Sequence, residues 1–377
     1  ASSAASDVYK RQFYNNNNYG SYLQTFALEA VIGSMGYNAY LIDFNDYTKP
    51  WNRQLRNKTI FSRIKCILFH PQLLVEALKA KIVSKQSTKC STALIRKFKD
   101  FLAENLNRYE GNYVKDNFKA FVVGSDQVWK VSLPGLHSVF FLRFCPPAKR
   151  ISYAASLGGD SIPPYNAKLC YRYLKEFKAI SVREDSAVTL LEGLGPDIHP
   201  THVLDPVLLV GKDFWKRYIT PHTDPQYLLM YFLDSVSEHE DIILAAIAKY
   251  PTHKIRMITT GVQINSIENI EYIEPSPLEF VSLIHNAEFV LTDSFHGSAF
   301  SILFDKEFIV LPRNYKVFSG QSARIFSLLA MFECRDRYVT AAAQVSEIRS
   351  INGQKTEAIL HKMQRTSTSF LAKAINE

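Results

Sequence analysis

The sequence has no apolar run approaching the ~20 residues that a membrane span needs, and its start lacks the apolar stretch of a secretory signal. It has no CxxC pair. Cys66, Cys90, Cys145, Cys170 and Cys334 are odd in number and widely scattered, which argues against a disulfide framework and a thiolate zinc site and for a reduced, cytoplasmic protein. GxGxxG, the Walker A pattern, GxSxG and HExxH are missing too, so the usual dinucleotide, nucleoside triphosphate, serine-hydrolase and zinc-protease readings lose their main support. Internal repeats are absent, and no nucleic-acid partner and no metal is expected. Acids are nearly missing from one segment: between Lys49 and Lys99, 13 lysines and arginines face the single Glu76. The rest of the chain holds 31 basic and 35 acidic residues, so the net charge of +8 belongs to that segment alone.

What is present is a globular chain. Its 377 residues, 47% hydrophobic and 21% charged, exceed one ordinary core and predict two domains. Strand-like runs at Tyr37–Phe44, Ala120–Val123, Ile151–Ala154, Ala179–Val182, Tyr227–Leu233, Lys254–Ile258, Phe289–Leu291 and Phe308–Leu311 are mostly continuous, as in strands covered on both faces. Helical spacing at Tyr22–Met35, Asn166–Glu176, Ser186–Gly193, Glu238–Lys249, Pro277–His285 and Ser322–Phe332 alternates with them, which predicts an α/β fold of doubly wound parallel sheets. The turn-rich Thr220–Pro225 predicts the boundary between an N-terminal Rossmann-like domain, 14–220, and a C-terminal one, 225–345. A final helix, 356–377, is placed to cross back onto the first domain. The opening ASSAASDVYKRQ reads as containing no strand and as poorly ordered, in place of a native first strand. Residues 49–105 form a basic helical insertion: Ile60, Phe61, Ile64, Ile67 and Leu68, then Leu74, Leu78 and Ile82, recur at helical spacing. It is either a solvated insertion or, through 49–99, a surface that meets anionic lipid or a phosphorylated acceptor.

In open parallel sheets ligands bind beyond the carboxyl ends of the strands. Four joints lie there. Asn18-Tyr19-Gly20-Ser21 opens a helix and is either a cap or a cradle for an anion or a sugar hydroxyl. In FVVGSDQVW, Gly124 allows a sharp turn and Ser125-Asp126-Gln127 project polar groups, while Trp129 is either core or a platform for a sugar ring. In AISVRED, Arg183 suits a carboxylate or phosphate, or a structural ion pair with Glu184 or Asp205. In LTDSFHGSAF, Asp293 or Ser294 caps a helix, Gly297 permits close approach by a ligand, and His296 is either structural or catalytic.

The motifs NYGSYLQTFAL, FVVGSDQVW, ISYAASLG, ISVRED, VLDPVLL, LTDSFHGSAFSILF and SARIFSLL occur in an order that resembles the polysaccharide pyruvyl transferase family, over about residues 17 to 335. The resemblance implies a fold similar to GT-B glycosyltransferases, with two Rossmann-like domains facing a cleft. It implies phosphoenolpyruvate as donor, with no cofactor, and as acceptor a sugar in a bacterial surface polysaccharide such as a capsule or exopolysaccharide, or its lipid-linked precursor. The product is then a pyruvate ketal bridging two hydroxyls. Carried onto this sequence, His296 and Asp126 are the catalytic candidates. Arg183, Ser294, Gly297, Arg313 and Arg324 fall on the donor side, and Asn18, Tyr19, Gly20, Gln24, Ser125, Gln127 and Trp129 on the acceptor side. Ser294 stands where other branches have the arginine of Arg-Leu-His, so Arg183, Arg313 or Arg324 is expected to take the donor's charge. The expected place is the cytoplasm, peripheral at the inner face of the plasma membrane. The alternatives are a GT-B glycosyltransferase using a nucleotide sugar and a non-catalytic glycan-binding member.

Overall fold

The apolar runs fold as the interior strands of two parallel sheets. The computed structural model describes residues 7–11, 18–44, 48–71, 73–74, 91–114, 116–132, 135–221, 226–259, 262–264, 266–313 and 322–377. The first sheet holds β1 (Asp7–Arg11), β2 (Asn38–Leu41), β3 (Ala120–Val123) and β4 (Arg150–Ser152) in the order β2-β1-β3-β4, all parallel. A parallel pair, β5 (Ile180–Val182) and β6 (Pro200–His202), continues it through the bridge between Ile151 and Ala179. The second sheet holds β7 (Tyr227–Tyr231), β8 (Lys254–Ile258), β9 (Ile270–Ile273), β10 (Phe289–Thr292) and β11 (Glu307–Val310) in the order β11-β10-β7-β8-β9. Every residue of β3, β7 and β10 is buried, as strands covered by helices on both faces require.

The helices are α1 (Tyr19–Ser34), α2 (Pro50–Phe69), α3 (Thr92–Asn105), α4 (Pro164–Leu174), α5 (Asp185–Glu192), α6 (Pro206–Leu209), α7 (Gly211–Lys216), α8 (Glu240–Ala248), α9 (Pro277–Asn286), α10 (Phe295–Leu303), α11 (Ala323–Met331) and α12 (Gly353–Asn376). The expected α/β class with parallel sheets is the one the chain adopts. α1 is buried along most of its first three turns because it lies between the two sheets' helices. Its Tyr19 ring stacks on Phe280 of α9 with centroids 4.6 Å apart, and Phe26 meets Trp215 of α7. One apolar cluster therefore runs from the first sheet through α1 into the second.

The structure departs from the sequence reading in three places. Residues 7–11 form a strand, and it lies in the middle of the first sheet, paired with both β2 and β3, so that sheet begins before residue 14. Its short apolar content hid it, whereas ladders on both flanks and the fully buried Val8 define it. β6 and β9 were also unexpected: the first has three residues, and the second buries little of its side-chain surface. The basic insertion is not uniform. α3 packs Phe98 and Phe101 against Tyr22 and Phe26, and Lys97 donates to the Glu274 carbonyl at 2.7 Å, while α2 turns Ile60, Phe61, Ile64 and Leu68 outward. Leu78 and Ile82 of the second expected basic helix lie outside the described residues, as do 222–225 of the expected boundary. α12 lies against the segment after β6, where Ser367 Oγ accepts from Leu204 N–H at 2.9 Å and Gln364 donates to the Leu208 carbonyl at 3.0 Å.

Candidate active site

Each sheet reverses its strand order once, between β1 and β3 in the first and between β7 and β10 in the second, and crevices form at such reversals. At the first, Ser21 Oγ on α1 donates to Asp126 Oδ2 at 2.9 Å across the reversal. Gly124 makes the turn after β3 with φ of 115°, and a Cβ there would lie 2.0 Å from the Tyr153 carbonyl oxygen, so no other residue fits. The turn carries Ser125 and Asp126 to the sheet edge, and Gln24 Oε1 fixes it by accepting from Ser125 N–H at 3.1 Å.

Asp205 is the centre of the cluster. It follows β6 and caps α6, accepting from Val207 N–H at 3.1 Å. Its Oδ2 accepts from Ser125 Oγ and from Arg183 Nη1, both at 2.8 Å, and lies 3.6 Å from His296 Nε2. Arg183 also faces Glu184 at 3.6 Å and Asp126 at 3.5 Å, with its guanidinium 4.1 Å from the Phe295 ring centroid. Arg324 Nη1 reaches Asp126 Oδ1 at 3.9 Å. Burial by itself would raise the carboxyl pKa values, but His296 and Arg183 outweigh it at Asp205, and Arg183, His296 and Arg324 outweigh it at Asp126; both lie below the usual range. Burial would lower the Arg183 pKa, yet three carboxylates raise it.

His296 enters from the second sheet, in the first turn of α10, and is buried. Its Nε2 has no hydrogen-bond partner, and its ring lies against α1, since a Cβ on Gly20 would sit 1.8 Å from Nδ1. The imidazole thus fills the gap that Gly20 leaves, beside the acid–arginine cluster. At the second reversal, Asp293 accepts from Leu233 N–H at 2.8 Å and Asp234 N–H at 3.0 Å, and pairs with Arg313 at 2.9 Å. Burial raises the Asp293 pKa in spite of Arg313 and the two amides.

His296, Asp126, Ser125, Arg183 and Arg324 therefore come together, with Gly20 backing the His. Several other expected residues have structural tasks instead. Trp129 is core: its Nε1 donates to the Phe140 carbonyl and its ring stacks on Phe141. Tyr19 donates to the Pro275 carbonyl between the sheets, Asn18 caps α1, and Gln24 Nε2 donates to the Ser21 carbonyl. Gly297 packs its α-carbon against Thr292, where a Cβ would lie 2.5 Å from Oγ1, so its smallness serves helix–strand contact. Ser294 caps α10, and Gln127 stays half-buried beside Gly158. Arg183 takes the ion-pair alternative, and Arg313 sits on Asp293 because a guanidinium at a buried sheet edge needs a carboxylate close by. Asp205, Ser21 and Phe295 were missed as site residues. The Asp-Pro of VLDPVLL was the available signal for the first, as a helix cap directly after a strand.

Two parallel doubly wound sheets, with a buried acid–arginine–histidine cluster assembled from both, define a two-lobed α/β protein whose polar centre lies where the lobes meet. A family model described as polysaccharide pyruvyl transferase matches residues 18–315, and the chain belongs to that transferase family. No curated protein matches its sequence. Among solved structures it is similar to a UDP-GlcNAc 2-epimerase from Neisseria meningitidis bound to UDP-GlcNAc, with 13% identity, 95% of this chain and 100% of that one covered, and a TM-score of 0.40. A UDP-GlcNAc 2-epimerase from Methanocaldococcus jannaschii shows 12% identity, 95% and 99% coverage and a TM-score of 0.44. The glycosyltransferase SnogD from Streptomyces nogalater shows 12% identity, 98% and 99% coverage and a TM-score of 0.43.

Proposed function

We propose that the chain transfers the enolpyruvyl group of phosphoenolpyruvate onto two hydroxyls of one sugar, in a surface polysaccharide or its lipid-linked precursor, to give a pyruvate ketal and phosphate. The observation that carries this reading is the buried His296 Nε2, without a hydrogen-bond partner, beside Asp205, Asp126 and Arg183. Ketal formation begins with a proton delivered to the methylene carbon of the enol, and an imidazolium is the group suited to deliver it near neutral pH. Three carboxylates, Asp126, Glu184 and Asp205, and the two guanidiniums of Arg183 and Arg324 stand together in this cluster, so the His296 ring lies among fixed charges of both signs.

Protonation leaves a cation at the ketal carbon. Asp126, held ionised, is a weak base but a fixed negative charge that favours this cation. One sugar hydroxyl adds there and gives its proton to the imidazole that protonated the methylene carbon; a second then displaces phosphate, which leaves with the electrons of its bond to that carbon and carries off the second hydroxyl's proton. For the donor's anionic groups, Arg324 and the exposed Lys130, within electrostatic reach of Asp126 and Arg324, are better placed than Arg313 on Asp293. In this reading the donor is a substrate and no resident cofactor takes part. A lipid-linked acceptor lies at a membrane, where peripheral contact through residues 49–99 would bring the enzyme.

The test is phosphate release from phosphoenolpyruvate with a panel of lipid-linked and nitrophenyl glycosides, with the ketal identified by mass. Nucleotide release from sugar nucleotides, without phosphate release, would replace this reading by glycosyl transfer. Glycan binding with neither release would make the chain a non-catalytic member.

A further inference from the structure

α2 is inverted relative to a helix that packs on a globular core. Asn52, Leu55 and Thr59 face the protein: Asn52 donates to the Asp43 carbonyl at 3.0 Å, and Thr59 and Ser138 hydroxyls lie 3.3 Å apart. At about 100° per residue, Ile60, Ile64, Leu68 and Phe61 fall on the opposite side, pointing away from the protein. Phe61, Leu68 and Phe69 are 70, 76 and 71% exposed. On the same wheel Lys58 and Lys65 flank the stripe on one side and Arg56 and Arg63 on the other, and no acid occurs from Lys49 to Pro71. The helix is held in this attitude from behind, because the loop at Gly135 is packed so closely that a Cβ there would lie 2.9 Å from the Arg63 α-carbon. Beside the stripe, a cavity of about 630 Å³ opens between Phe61, Lys65 and Phe69 of α2 and Tyr165, Leu169 and Arg172 of α4.

We propose that α2 is a membrane-surface helix whose apolar stripe enters the headgroup–acyl boundary of an anionic bilayer. Its flanking lysines and arginines then lie against lipid phosphates, and the cavity admits a headgroup. The charge argues for this occupant over a second copy of the chain: two such helices would bring five cations each, with no acid, into one interface. No described helix is long and apolar enough to cross a membrane, so the contact is one of lying on the surface.

The experiment is vesicle sedimentation of the full chain, which needs no turnover and so fails or succeeds independently of the proposed reaction. Binding is expected to phosphatidylcholine vesicles containing phosphatidylglycerol, to weaken at high salt, and to be much weaker with phosphatidylcholine alone. Lys58→Gln with Lys65→Gln should lower partitioning about 30-fold. Leu68→Ser with Phe69→Ser should lower it roughly tenfold or more at an unchanged Tm, since both residues are exposed. Equal binding to both vesicle types, binding to neither, or indifference to the Leu68 and Phe69 changes would each overturn the proposal. Sedimentation velocity showing a dimer that those two changes disperse would assign the stripe to a second copy instead.

Discussion

The two reversals of strand order both hold a buried aspartate, Asp126 in the first sheet and Asp293 in the second, yet the two carboxyls shift in opposite directions. Burial opposes ionisation at both. Asp126 is reached by Arg183, Arg324 and His296, and those charges win; Asp293 has Arg313 and two backbone amides, and burial wins. The number of cations converging on a carboxylate decides the sign. It also separates the tasks: the first reversal gathers side chains from five joints around Asp126 and Asp205, while the second ties the loop after β7 to β10 and to Arg313. Chemistry is proposed for the first and bracing for the second.

The sharpest way to break that division is His296→Asn, which keeps a polar side chain but removes the proposed proton donor. Turnover should fall about 100- to 10,000-fold while donor affinity changes little, as read by phosphate release and a donor titration. Near-normal turnover would place the acid elsewhere. Asp205→Asn removes the charge that holds Arg183, leaving a buried guanidinium short of its closest partner. Breaking such a pair costs roughly 3–5 kcal/mol, so Tm should drop markedly. A smaller cost, about 1–3 kcal/mol, is expected for Asp293→Asn, whose amide oxygen can still accept from one backbone amide. Equal losses would erase the distinction between the two reversals.

Gly20→Ala tests the site without touching any charge. The added methyl would meet the His296 ring and displace it, so turnover should fall about tenfold to 100-fold through misplacement, with a modest change in Tm. Unchanged kinetics would mean that the ring's position is unimportant. The smallest effect is in acid. For Asp126 and Asp205, whose folded pKa values are depressed, the stability they contribute is present above the ordinary Asp value of about 3.9 and is lost as pH falls toward the folded values. For Asp293, whose folded value is raised, the contribution is present below about 3.9 and lost as pH rises through the folded value. Tm followed from neutral pH into acid should therefore fall less steeply for Asp205→Asn than for the parent chain, and more steeply for Asp293→Asn. The same slope in all three would show that these carboxyls do not titrate differently on unfolding.

Much of this site was legible before any coordinates. Asp126, Arg183 and His296 each follow a continuous apolar run, and the end of such a run fixes the sheet edge on which a side chain emerges. Apart from Glu184 and Asp205 as alternative partners of Arg183, the reading could not supply the company. Trp129 follows the same turn as Asp126, and only packing against Phe141 shows it turned into the core. Arg183 and Arg313 were both suited to an anion; the carboxylates that occupy them come from positions 22 and 20 residues away, brought close by β6 and β10. β1 escaped notice because a central strand can owe its place to hydrogen bonds on both sides rather than to its own apolar content.

The sequence by itself determined the alternation of strands and helices, hence the parallel sheets, and it determined the acid-free segment that became α2. These depend on local period and composition, which the chain carries residue by residue. Tertiary structure alone decided that α3 turns inward while α2 shows its apolar stripe to solvent, and that Asp205 stands at the meeting point of Ser125, Arg183 and His296. Both are matters of which distant surfaces arrive together, and burial, ion pairing and the sign of a pKa shift are set by those arrivals.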